Sequence, residues 1–163
     1  MKTEIKFGVF FSIAQLVWLL IEFLFGVQTT FIQLHHVITN FFAVPAIIIM
    51  TYAILAKRAE LGGEITFLKA LVTGILVSTV VAVLTPVVLF IFHNFINPHF
   101  FTDFQNYSVK MNKMQPQEAK EYFNIYSYIL QGIFGALIMG TITSLVVAAV
   151  IKKKVPINTE SQT

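Results

Sequence analysis

Residues 67–92 read FLKALVTGILVSTVVAVLTPVVLFIF (Phe67–Phe92), and Lys69 is the only charged residue among them. A helix needs roughly 20 apolar residues to cross a hydrocarbon core about 30 Å thick, so this stretch by itself predicts a membrane span. Working outward from it, three further runs of similar length stand out: Phe7–Val27 and Val37–Ala56 before it, and Tyr128–Ile151 after it. The runs are continuous rather than alternating, which excludes a closed barrel of strands. Irregular backbone facing lipid would leave polar groups unpaired. The expected fold is therefore an all-α membrane protein, with four transmembrane helices in two antiparallel hairpins and an interfacial outer loop or short helix between helices three and four.

The whole chain agrees with this reading. Its 163 residues are 56% hydrophobic, and the mean hydropathy is +0.78, far above soluble domains. Residues 1–154 form one four-helix domain with no room for a separate soluble enzymatic unit. Cysteine is absent, which removes disulfides and thiolate chemistry. Lys2 and Lys6 ahead of an apolar run could open a signal peptide. The run ends Glu22-Phe-Leu-Phe-Gly26-Val27 without a small-x-small cleavage site, so a retained first helix is expected.

The net charge of +3 is no nucleic-acid footprint, because the basic residues gather at helix ends. Lys2 and Lys6, then Lys57, Arg58 and Lys69, then Lys152, Lys153 and Lys154 all fall on one side of a four-span topology; that is eight of the eleven basic residues. The positive-inside rule places that side, and both termini, in the cytoplasm. The lipid bilayer is the first partner, and residues 155–163 read as a disordered cytoplasmic tail.

Turn chemistry supports the boundaries. Gly62-Gly63 supply a turn and Thr66 a cap for the third helix. Asn97-Pro98 end that helix. The outer connection, residues 94–125, is aromatic in its first half (Phe95, Phe100, Phe101, Phe104, Tyr107), as suits a segment lying in the interface. Its second half reads as a short helix from Pro116, with Ala119, Tyr122, Phe123 and Tyr126 on one face.

Small residues recur every four positions in the last two spans: Ala70, Gly74, Ser78 and Ala82 in the third, and Gly132, Ala136, Gly140, Ser144 and Ala148 in the fourth. Lipid supplies no hydrophobic drive between helices, so close backbone approach along small residues provides the attraction. These stripes predict an antiparallel seam between helices three and four, the rival being a homodimer seam. Ser78, Thr141, Thr143 and Ser144 read as hydrogen-bonding groups between helices. Pro45 and Pro86 each remove a backbone donor inside a span; kinks of this kind are structural by default, with a transport hinge as the rival.

Glu22 is the acid set well within an apolar run. A charge there is costly, so it should face the bundle, with His35, His36 and Asn40 in reach and a Glu22–His36 hydrogen bond as the expected pairing. A polar clamp between helices one and two is the structural reading; a proton relay is the functional one. The histidines His35, His36, His93 and His99 all fall on the outer side. With Met111, Met114 and Asp103 they offer donors that suit copper or zinc, but their spacing matches no metal motif. Trp18 is read as a lipid or core contact. No nucleophile elbow, zinc-protease helix or phosphate loop is present, so no cofactor and no enzymatic activity are expected.

The string Gly63-Glu-Ile-Thr66-Phe67-Leu-Lys-Ala70-Leu-Val-Thr-Gly74, a first helix ending in Glu22, and Ile96-Asn97-Pro98 after the third resemble the small four-span bacterial membrane proteins grouped as domain of unknown function 4199, of Bacteroidota type. The resemblance covers about residues 4–152. It implies a bacterial inner-membrane location and the same four-helix topology, and it carries no assigned activity or catalytic residue. Three functions stay open. The leading one is an accessory or self-associating structural component, whose partner is another membrane protein or a second copy. The others are a small oligomeric transporter using Glu22 and His36, and an outer-facing metal or pH sensor.

Overall fold

The computed structural model describes residues 1–152; Lys153, Lys154 and the tail expected over 155–163 lie outside the described residues. Six helices and no strand are found among the described residues: α1 (Lys2–Leu24), α2 (Ala43–Glu60), α3 (Phe67–Ile91), α4 (Phe100–Lys110), α5 (Pro116–Tyr122) and α6 (Ile125–Ile151). The approach to α2 is helical but irregular, with 3-10 turns at Ile32–Leu34 and Thr39–Phe42 on either side of one α turn, His35–Ile38. A π turn, Phe92–Ile96, prolongs α3. Four stretches are long and apolar enough to cross a membrane: Lys2–Leu24, Ile32–Glu60, Phe67–Ile96 and Ile125–Ile151.

Local chemistry explains where these spans depart from the apolar runs. The first begins at Lys2 rather than Phe7, because Thr3 and Glu4 find polar partners on α2. It ends at Leu24 rather than Val27, because Gly26 adopts a left-handed φ of 71°. The Gly26 N–H then reaches Phe23 O at 3.0 Å and the Val27 N–H reaches Glu22 O at 2.9 Å, the paired closure that uses up the last carbonyls of a helix. Gly62 (φ 82°) closes α2 in the same manner, and the Thr66 hydroxyl caps α3 by accepting from the Lys69 N–H at 3.3 Å. Pro45 is the third residue of α2, just after the 3-10 turn Thr39–Phe42; with no N–H it cannot donate back to Phe41.

The central helix is α3. It is flanked by α1, α2 and α6, and Ala70 and Val77 on it are fully buried. Gly8 of α1 presses on Val80, so that a methyl added there would overlap the valine. On the other flank Gly74 lies against Ser144, Ser78 against Gly140 and Thr85 against Gly132. Ala82 and Ala148 are buried, while Ala136 is only half-buried.

The outer connection holds two helices where one was expected. The aromatic half is α4, which turns Phe100 and Phe104 inward onto Ala119 and Phe123. Only those two of the four residues expected on one face of the second half are buried; Tyr122 and Tyr126 are exposed. Asn124 interrupts the helix and caps α6 by accepting from the Ser127 N–H at 3.0 Å, which gives Tyr126 to a different helix.

Candidate functional site

Glu22 sits in the last full turn of α1 and is 1% exposed. Its two oxygens accept three hydrogen bonds and lie beside one imidazole. Oε1 accepts from Trp18 Nε1 at 2.7 Å and from the Thr39 hydroxyl at 2.7 Å. Oε2 accepts from Gln28 Nε2 at 3.1 Å and lies 3.3 Å from His35 Nδ1. A carboxylate has roughly four acceptor sites; three are filled from within the bundle, and His35 Nδ1, also 3.3 Å from the Thr39 hydroxyl, lies beside the carboxylate.

The expected pairing with His36 is corrected by this geometry. His35 and Thr39 stand one helical turn apart and share the face toward Glu22. His36 and Asn40 stand on the neighbouring, exposed face, where Asn40 Nδ2 donates to His36 O at 2.7 Å. A helix rotates about 100° per residue, and one residue of phase separates the two sets.

The network continues through Gln28, which is fully buried. Its amide nitrogen also donates to Leu19 O at 3.3 Å, and its oxygen accepts from Asn97 Nδ2 at 3.1 Å. One carboxylate therefore ties together the end of α1, the loop after it, the start of the second span and the turn that ends the third. Sequence reading missed Trp18, Gln28, Thr39 and Asn97 as members. Trp18 at i−4 from Glu22 was a usable signal; the other three are brought in by tertiary contact.

The histidines divide by environment. The His35 ring meets Phe104 with centroids 4.9 Å apart, and the His93 ring meets Phe100 at 4.4 Å and Phe101 at 4.7 Å. His93 is buried and its Nδ1 has no hydrogen-bond partner among the described residues. His36 and His99 are exposed. Among the described residues no three His, Cys, Asp or Glu side chains come together to hold an ion, so the four histidines do not form one ligand set.

At the opposite end a second polar cluster joins α1 to α2. Glu4 is buried and lies 2.9 Å from Lys57 Nζ, which is also 3.3 Å from Glu60. The Thr3 hydroxyl donates to Glu60. The serines and threonines of the seam are corrected too. Ser78 donates to Gly74 O at 2.9 Å, Thr141 to Leu137 O at 2.7 Å and Ser144 to Gly140 O at 2.6 Å. Each of these three bonds its own helix one turn back, and among the described residues their one polar contact across helices is the weak approach of Ser144 Oγ to Met50 Sδ at 3.7 Å.

The model of the protein family described as "Protein of unknown function (DUF4199)" matches residues 6–153. No curated protein and no solved structure matches the chain.

Proposed function

Since the chain belongs to the DUF4199 family, whose description assigns no activity, we propose its role from the geometry: it is a non-enzymatic membrane component that works by association, as an accessory subunit or with copies of itself. The observation that carries this is the enclosure of Glu22. The acid placed to serve a transport path accepts three hydrogen bonds from its own bundle and lies beside His35, and its expected relay partner, His36, points elsewhere. The two polar clusters hold the first span to the second and, through Gln28 and Asn97, to the end of the third.

The protein belongs to a bacterial inner membrane, with the end bearing Lys57, Arg58 and Lys69 in the cytoplasm. The lysine and arginine asymmetry supports this orientation. Because the chain has no cysteine, a thiol introduced at Gln33 should react with a membrane-impermeant maleimide on intact spheroplasts, and one at Gly62 only after lysis. The reverse pattern would overturn the orientation.

The association is tested by purifying tagged protein from its native membrane in mild detergent, followed by intact-mass determination. A stoichiometric foreign chain makes it an accessory subunit, and a defined homo-oligomer makes it self-associating. Recovery as a lone monomer sinks both forms.

A further inference from the structure

At the basic end of the bundle an open groove of about 370 Å³ lies between α3 and the ends of α1 and α2. Its α3 wall carries Leu68, Val72 and Leu76, with Lys69 beside the first of them; Glu4 and Lys57 stand on the other wall. The three apolar residues recur every four positions and all are exposed. From Leu68 to Leu76 the stripe runs about 12 Å along the helix, from the first turn of the span into hydrocarbon depth.

The charges along this groove do not balance. Lys57 Nζ is paired with Glu4 at 2.9 Å and Glu60 at 3.3 Å, and the Met1 amino group faces Glu4 at 2.9 Å. The Thr73 hydroxyl donates to Lys69 O at 2.8 Å. Lys69 itself is exposed, and its ammonium forms no ion pair among the described residues. The same end of the bundle carries Lys2, Lys6, Lys57, Arg58, Lys69 and Lys152 against Glu4, Glu60 and Glu64, six cationic side chains to three anionic ones.

We propose that this groove seats one anionic phospholipid, with its phosphate on the Lys69 ammonium and an acyl chain along Leu68, Val72 and Leu76. A free cation in the first turn of a span lies at headgroup depth, where a lysine side chain extends toward the interface. An apolar stripe descending from that cation matches a molecule that is charged at one end and hydrocarbon below it. A second copy of the chain fits the groove poorly. Copies share one orientation in a membrane, so a neighbour would bring its own basic end to the same depth. The site is separate from the association proposed above and does not rest on it.

The test offers the full chain in detergent an equimolar mixture of phosphatidylglycerol and phosphatidylcholine with identical acyl chains, and counts retained lipid by native mass spectrometry. One phosphatidylglycerol should be retained about fivefold over phosphatidylcholine, the effect of one lysine near an anionic headgroup. Lys69→Gln should bring the two lipids to parity, and Lys69→Arg should keep the preference. Lys6→Gln removes an equally exposed lysine outside the groove and should also keep it. Val72→Trp fills the groove from an exposed position, so it should fold with the parent's thermal midpoint and retain neither lipid. Parity in the parent would overturn the proposal. Equal losses in Lys6→Gln and Lys69→Gln would assign the preference to the charge of the whole end and overturn the site. A phosphatidylglycerol adduct that survives Val72→Trp would place the acyl chain elsewhere and overturn it as well.

Discussion

Gly140 lies against Ser78 across the fourth and third spans, and Gly74 lies against Ser144 with the roles exchanged. Each serine sits one turn from a glycine on its own helix, bonds back to that glycine's carbonyl and fills the space left by the glycine opposite. The seam thus needs no hydrogen bond between helices. Its attraction is dispersion across closely approached backbones, which makes it sensitive to any added volume.

Gly140→Leu should therefore destabilise the protein by about 1–3 kcal/mol, the usual range for overpacking, seen as a drop of several degrees in the thermal midpoint in detergent. Gly135→Ala, five residues away on the open side, should match the parent or exceed it by up to about 1 kcal/mol, since Ala favours the helix over Gly. Equal midpoints for Gly140→Leu and the parent would mean that the seam is not close-packed.

The two adjacent histidines should separate cleanly. His35→Ala removes a contact to Glu22 and two aromatic contacts to α4, and should cost about 1–3 kcal/mol from the lost hydrogen bond and ring contacts. His36→Ala should stay within about 0.5 kcal/mol, as expected for a surface position. A larger loss for His36→Ala would return Glu22 to the partner expected from sequence.

The difference between those histidines shows what was legible beforehand. The spans could be read because length and apolarity set them, and the capping residues Gly62, Thr66 and Pro116 could be read because turn chemistry is local. The helical phase at His35–His36 could not, because 3-10 turns on both sides of that segment shift which residue faces inward. Nor could the π turn at Phe92–Ile96, which brings Asn97 to Gln28. The helix α4 did leave a signal: Phe100, Phe104 and Ser108 recur every four residues and all are buried. Its aromatic content directed the reading toward a segment lying in the interface instead. Gln28 and Gln15 are polar residues of similar type, and only the fold reveals that one is satisfied and that the Oε1 of the other lacks a partner among the described residues.

Trp18 is the single tryptophan of the chain, and its indole N–H is bonded to Glu22. Glu22→Gln replaces a charged acceptor by an amide and weakens that bond, since bonds to charged groups are about twice as strong as neutral ones. The emission maximum of Trp18 should shift while the far-ultraviolet circular dichroism stays the same, and the thermal midpoint should fall. Unaltered emission would mean that the indole is bonded elsewhere. An unaltered midpoint together with a loss of solute flux in liposomes would instead favour the transport reading.

At the opposite end, Glu4 is 4% exposed and is paired with Lys57 through one oxygen and with the Met1 amino group through the other. Removing one member of a fully buried pair costs about 3–5 kcal/mol, and replacing both by apolar or neutral groups of similar volume is often nearly neutral; here the Met1 amino group still faces Glu4 at 2.9 Å, so the loss should fall below that range. Lys57→Met should thus be the most harmful of the three variants, and adding Glu4→Gln to it should recover most of the lost stability. The rescue is the informative part. Independent roles for the two residues would give a double variant whose loss is the sum of the single losses, and thermal midpoints of the four proteins in a single detergent distinguish the two outcomes.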